Sequence, residues 1–172
     1  MFTLLCHHLE PIWNDAMRRM HGTCIEDVCQ DVANYILEHN PEHVIITQFE
    51  SNRHDRQHEC YFPIYDALEQ TDARLTWQEY GYGWEIDNFA FEDIDSALET
   101  LQSGETLEDN YGNKITLGGN HSQVLPFYDW ISELSTEHVR LCGAFDGECL
   151  EDMQIILEKS NVNFSRVESL IL

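Results

Sequence analysis

A cysteine that could act as a nucleophile stands at position 149. It follows the apolar run Val139 to Gly143 and begins an apolar-periodic stretch that predicts a helix. Unpaired N–H groups in the first turn of a helix favour a thiolate over a thiol. Cys149 therefore occupies a position suited to nucleophilic chemistry. The alternative is a small apolar side chain that packs a helix against a sheet.

Two adjacent histidines follow the first apolar run of the chain, Thr3 to Cys6. A histidine beside a cysteine can accept the thiol proton, so His7 or His8 is a candidate general base for Cys149. Adjacent residues of a strand point to opposite faces of the sheet. We therefore expect at most one of these two rings to face a shared crevice.

A candidate metal site follows the second apolar run, Val44 to Phe49. Glu50, His54 and His58 combine a carboxylate with two imidazoles. The two histidines are four residues apart, as in zinc-binding pairs on one helix face. The residues between them are all polar, so the alternative is a solvated loop. A divalent metal is the one cofactor that this pattern suggests.

The interval of six residues between Gly143 and Cys149 resembles the isochorismatase-like, nicotinamidase-type cysteine hydrolases, in which the catalytic cysteine begins a helix after a strand-ending glycine. The resemblance covers the C-terminal third of the chain well and the opening strand–helix–strand unit loosely. It implies that Cys149 is the nucleophile and that a preceding lysine holds the oxyanion. Lys114, 35 residues before Cys149, suits that lysine. Where the family has a proton-abstracting aspartate, this chain has His7 and His8.

Aromatic residues offer a candidate substrate-binding surface. The glycine-rich segment Tyr80 to Trp84 carries rings that can stack on a ring-shaped substrate or cover the edge of a core. We take Tyr82, Trp84 and Asp146 as candidate substrate-binding residues.

The elements that must position these residues alternate between strand and helix. Thr23 and Glu26 have capping-box spacing before the clearest helix, which Asn40-Pro41 should end. The alternation predicts a single α/β domain over 1–172, with an open, mostly parallel sheet covered by helices on both faces in a Rossmann-like three-layer arrangement. Scattered glycines predict a loop-rich insertion around 81–119. The expected strands are Thr3–Cys6, Val44–Phe49, Leu75–Glu79, Val139–Gly143 and Ser165–Leu172, and the expected helices run from about Cys24 to Asn40, Tyr61 to Leu68, Pro126 to Leu134 and Cys149 to Lys159.

The fold class also predicts where the chemistry takes place. In open α/β sheets, ligands bind beyond the carboxyl ends of the strands. The segments after Cys6, Phe49 and Gly143 are therefore expected to surround one site.

Composition excludes several classes of partner. The 172 residues include 9 basic and 32 acidic ones, for a net charge of −23. Such a surface repels phosphate backbones and anionic lipid, which argues against direct binding to nucleic acid or membrane. No apolar run approaches the roughly 18 residues that span a bilayer. The six cysteines form no CxxC pair, and reduced thiols predict a cytoplasmic protein.

Two functions fit these observations. The first is a hydrolase of a small amide or ester, with Cys149 as nucleophile, His7 or His8 as base and Lys114 or backbone N–H groups at the oxyanion. The second is a non-catalytic acidic protein, of the kind that phages and mobile elements direct against host machinery, which binds a basic partner such as a nucleic-acid-binding protein.

Overall fold

Five parallel strands form the main sheet of this protein, in the spatial order β3 (Arg74–Tyr80), β2 (His43–Phe49), β1 (Thr3–His7), β6 (His138–Gly143) and β7 (Asn163–Ile171). The computed structural model describes residues 1–80, 99–100, 103–108, 114–116, 130–131, 133–134, 138–147 and 149–172. The strands are β1 (Thr3–His7), β2 (His43–Phe49), β3 (Arg74–Tyr80), β4 (Thr106–Glu108), β5 (Lys114–Thr116), β6 (His138–Gly143) and β7 (Asn163–Ile171). The parallel sheet confirms the predicted α/β fold class.

The α-helices that are described over their full length are α1 (Asn14–His21), α2 (Ile25–His39), α3 (Phe62–Glu69) and α4 (Cys149–Lys159). The predicted capping box at the start of α2 is wrong. Cys24, and not Thr23, precedes the first helical residue, and its thiol donates to the Asp27 carboxylate at 3.1 Å. The predicted end of α2 is confirmed, because Asn40 takes up a left-handed conformation there. None of the described helices is long and apolar enough to cross a membrane.

The sheet separates two apolar clusters, because neighbouring residues of a strand face opposite sides. Leu5 of β1 lies in one cluster, and Leu4 and Cys6 lie in the other. Helix α4 covers the first face, together with buried Trp130, Ile131 and Leu134 from the helix expected after Pro126. Helices α2 and α3 cover the second face. Burial on both faces explains why the inner strands are continuously apolar.

The predicted insertion around 81–119 lies mostly outside the described residues, as do the candidate substrate-binding residues Tyr82 and Trp84. Its described part contains an antiparallel hairpin of β4 and β5, which the sequence analysis did not predict. Lys114 begins β5 and lies opposite Glu108. The described residues include the backbone of Lys114 but not its side chain.

Candidate functional site

The carboxyl ends of β1 and β6 approach each other closely at His7 and Gly143, which are register partners. The Ala144 N–H donates to the His7 carbonyl at 3.0 Å. A Cβ atom added to Gly143 would lie 1.9 Å from the same oxygen, and the φ of Gly143 is +119°. Only glycine fits both the space and the backbone conformation. The strand-ending glycine that precedes Cys149 is therefore required by the contact between two backbones.

His7 links three elements at this edge of the sheet. Its Nδ1 lies 2.7 Å from the Thr47 hydroxyl of β2, and the ring also forms a hydrogen bond with the backbone of Cys149, the first residue of α4. Burial is the largest cause that lowers the pKa of His7 well below its usual value, and neighbouring His8 lowers it further. The bond with Cys149 raises that pKa, as expected when the ring donates to a backbone carbonyl. His7 is therefore neutral at physiological pH and holds the first turn of α4 in place.

The Cys149 side chain is a half-buried thiol, outside any disulfide, at the start of α4. The loop before it is held at several points: the Leu150 N–H donates to the Phe145 carbonyl at 3.2 Å, and the Asp146 N–H donates to the Leu172 carbonyl at 2.6 Å. The Asp146 carboxylate, a predicted substrate-binding group, forms an ion pair with Arg166 at 2.8 Å. The Asp146 side chain is 52% exposed, so this ion pair lies at the protein surface.

His8 does not follow the expected strand alternation. Strand β1 ends at His7, and the φ of His8 is +57°, so the chain turns at this residue. The two imidazole rings lie side by side with their centroids 4.2 Å apart, and both are buried. The prediction that they point to opposite faces is wrong, because it assumed that the strand continues through His8.

The side chains of Trp13 and Glu10 contact the ring of His8. The Trp13 indole N–H donates to Nδ1 of His8 at 3.1 Å, and the Glu10 carboxylate lies 3.2 Å from the same atom. An indole can only donate, so Nδ1 accepts in this arrangement and the ring proton lies on Nε2. Glu10 is fully buried. Burial lowers the pKa of His8 to about 3.

Aromatic contacts connect Trp13 and helix α1 to the loop that leads into Cys149. Trp13 packs edge-on against Phe145 with ring centroids 6.0 Å apart, and His21 stacks on Phe145 at 5.7 Å. Edge-to-face and stacked contacts of this length are favourable aromatic geometries. Helix α1 thereby lies against the loop that leads into Cys149.

The low pKa of His8 predicts a pH-dependent stability. In the unfolded chain this imidazole titrates near 6.5, whereas in the fold it titrates at about 3. The contribution of His8 to the free energy of unfolding is therefore fully present above pH 6.5 and is lost as the pH falls toward 3. For one proton, the free energy of unfolding changes by about 1.4 kcal/mol per pH unit in this range. The free energy of unfolding, measured in urea from pH 7 to pH 5, should fall less steeply in His8→Asn than in the wild type.

Asparagine is the matched replacement at this position because it tolerates the left-handed backbone and does not titrate. The comparison removes the effect of the many surface carboxylates, which titrate in both proteins. Equal slopes for the two proteins would contradict the assignment of a depressed pKa to His8.

The side chains of His54 and His58, two of the three candidate metal ligands, have other partners in the structure. His54 is exposed and lies 3.4 Å from the Asp55 carboxylate, and Nδ1 of His58 accepts a hydrogen bond from the Cys60 N–H at 3.2 Å. His54 lies in the 3-10 helix Glu50–Gln57, which ends before His58, so the two histidines do not lie on one helix face. Among the described side chains, no group of three or more His, Cys, Asp or Glu has the spacing of a metal site.

Sequence reasoning missed several residues of this site. Thr47 is a buried polar residue within a largely apolar strand, and that interruption was the available signal for it. Trp13 and Phe145 gave no such signal, because aromatic residues are common in any core. Glu10 lies in the correct segment, but its complete burial depends on the packing of α1.

No protein-family model, curated protein or solved structure matches the chain.

Proposed function

We propose that this chain is a cysteine-dependent hydrolase of small amides or esters, with Cys149 as its nucleophile. The observation that carries the proposal is the hydrogen bond between the His7 ring and the backbone of Cys149. It joins the end of β1 to the first turn of α4 at the carboxyl edge of a parallel sheet, where such folds bind ligands. The resemblance of the Gly143–Cys149 interval to isochorismatase-like hydrolases supports the same residue.

In the proposed reaction the Cys149 sulfur attacks the carbonyl carbon of the substrate. A C–S bond forms, the carbonyl oxygen gains negative charge, and collapse of this intermediate breaks the bond to the amine or alcohol, which leaves with the proton that the thiol gave up. Water then attacks the thioester, releases the carboxylic acid and restores the thiol. N–H groups in the first turn of α4 are suited to stabilise both the thiolate and the oxyanion.

The two histidines have different roles in this proposal. His7 acts as a positioning residue, because Thr47 and the Cys149 backbone engage its ring. His8, with a pKa of about 3, is a weak base, so activation of the thiol depends mainly on the start of the helix. Lys114 and the backbone N–H groups of α4 are both candidates to stabilise the oxyanion.

Alkylation rates test the proposed nucleophile against a matched thiol in the same chain. Cys24 and Cys149 are both half-buried, and each lies at the start of a helix. A hydrogen bond with Asp27 is the largest cause that raises the pKa of Cys24. Brief treatment with limiting iodoacetamide near neutral pH, followed by peptide mapping, should label Cys149 at least about tenfold faster than Cys24.

A slower reaction at Cys149 than at Cys24 would remove the basis for a thiolate nucleophile. The second function would then be the better one: a non-catalytic protein that binds a basic partner. One specific observation favours it, since helix α2 exposes the acidic residues Asp27, Asp31 and Glu38 and also Leu37, which is 45% exposed. Exposed acidic groups on a helix that also exposes an apolar side chain are suited to a partner with basic and apolar side chains.

A further inference from the structure

Cys6 and Cys142 form a pair of thiols in the core of the protein. They are register partners on the adjacent parallel strands β1 and β6, and their sulfur atoms lie 3.5 Å apart. Both belong to the apolar cluster between the sheet and helices α2 and α3, and neither side chain is exposed to solvent. The fold thereby brings two residues that are 136 positions apart in the chain into direct contact. They directly precede His7 and Gly143, the two residues that meet at the candidate site.

The spacing of this pair suits a disulfide bond. Register partners on neighbouring strands have Cα atoms about 4.8 Å apart, and disulfides join residues whose Cα atoms are about 4.4–6.8 Å apart. A hydrogen bond holds β1 and β6 at this spacing directly beyond the pair, because the Ala144 N–H donates to the His7 carbonyl at 3.0 Å. Bond formation requires the sulfur atoms to approach from 3.5 Å to about 2 Å. Small rotations about the two Cα–Cβ bonds supply this movement while the strands stay paired.

Burial decides when these thiols can react. Neither side chain has exposed surface in the closed fold, so a reagent in solution does not reach them there. The bond with Cys142 is the largest cause that raises the pKa of Cys6, and complete burial raises it further. The first oxidation step therefore takes place while β1 and β6 are apart, either during folding or after the sheet opens. Pairing of the strands then gives the two sulfur atoms a high effective concentration.

We propose that Cys6 and Cys142 form a disulfide by exchange with small-molecule disulfides such as oxidised glutathione. In the open chain, the thiolate of one cysteine attacks the small disulfide, forms a mixed disulfide and releases one small thiolate. When β1 and β6 pair, the second cysteine attacks the protein sulfur of the mixed disulfide and releases the other small thiolate. The two protein thiols give their protons to the two released thiolates, so two thiols are oxidised and one small disulfide is reduced to two thiols. The product ties β1 to β6 beside the candidate site, and the reaction does not involve Cys149.

Refolding of the full chain in glutathione buffers tests this site. The chain is diluted from urea into a series of ratios of oxidised to reduced glutathione, the remaining thiols are blocked, and non-reducing peptide mapping quantifies each product. Cys24 is the matched control, because it is the more exposed thiol and is bonded to Asp27 instead of to a second thiol. The Cys6–Cys142 disulfide should be half-formed at a ratio at least about tenfold lower than the mixed disulfide of Cys24. In urea throughout, little of this cross-link should form, because closing a chain of 136 residues is entropically costly.

The melting temperature provides a second measurement. A cross-link that fits the fold and closes a chain of this length should raise the melting temperature by roughly 10 °C, and dithiothreitol should reverse the rise. Cys142→Ala should lack both the cross-link and the rise.

Two outcomes would overturn the proposal. One is that Cys6 and Cys142 remain thiols at ratios that convert Cys24 to its mixed disulfide, because the pair would then be only a packing contact. The other is a cross-link that lowers the melting temperature, because the strands would then have to separate to accommodate it. Mapping and melting of the unaltered chain decide between these results even if Cys142→Ala does not fold.

Discussion

Gly143→Ala is expected to cost more than about 4 kcal/mol of unfolding free energy, among the largest effects for a single substitution. The new methyl group would lie 1.9 Å from the His7 carbonyl oxygen, and its next contacts, at 2.8 Å, are backbone atoms of His7. Backbone atoms of paired strands cannot move aside as a flexible side chain can. In addition, alanine disfavours a φ of +119°. In a chain of this size the loss corresponds to a fall in melting temperature of roughly 8 to 16 °C.

Gly147→Ala is the matched control, because it lies in the same loop and also has a positive φ, +74°. No atom lies within 4 Å of the position its Cβ would take. The cost there should be only the about 1–2 kcal/mol of the left-handed backbone. Thermal and urea unfolding of both variants measure the difference. Similar costs for the two substitutions would mean that β1 and β6 do not approach each other as described.

Cys149→Ser should reduce amide or ester hydrolysis on the order of 10³-fold or more. A hydroxyl has a far higher pKa than a thiol, and neither His7 nor His8 is placed and charged to act as a strong base for it. The Cys149 side chain is half-buried, so its replacement by a group of similar size should change the melting temperature little. Initial rates with a panel of small aryl and alkyl amides and esters provide the measurement.

Cys24→Ser controls for the loss of a half-buried thiol at the start of a helix, and it should leave the rate unchanged. If Cys149→Ser keeps the activity, or lowers the melting temperature with no activity to lose, Cys149 is a packing residue. The acidic surface of α2 then becomes the more important functional feature.

Much of the fold could be predicted because its signals are local. Helix α4 begins and ends at the predicted residues, Cys149 and Lys159, since its apolar side recurs with helical spacing. Strand β2 extends the predicted run by one residue, to His43. The capping box predicted at Thr23 was wrong because capping requires a particular backbone conformation, and the extended residue that precedes α2 is Cys24. The β4–β5 hairpin was missed because each of its strands has only three residues, too few for a period to show.

The candidate site, too, could be predicted only where its signals are local in the sequence. The Gly143–Cys149 interval and the presence of histidines after β1 can be read from the sequence, but the joint role of His7, Thr47 and Cys149 cannot. Thr47 is 40 residues from His7 along the chain, and Cys149 is more than a hundred residues beyond Thr47. Their contact depends on the order in which the parallel strands pair.

The sequence by itself determined the α/β class, most strand and helix positions, the acidic surface and the loops in which reactive residues gather. Each of these follows from periodicity or composition within a short window. Only the tertiary structure decided that His7 is neutral and bound to α4, that His8 turns back beside it, and that the sulfur atoms of Cys6 and Cys142 lie 3.5 Å apart. Proton affinities and thiol pairs depend on burial and on neighbours that are distant in the chain, and these exist only once the sheet has formed.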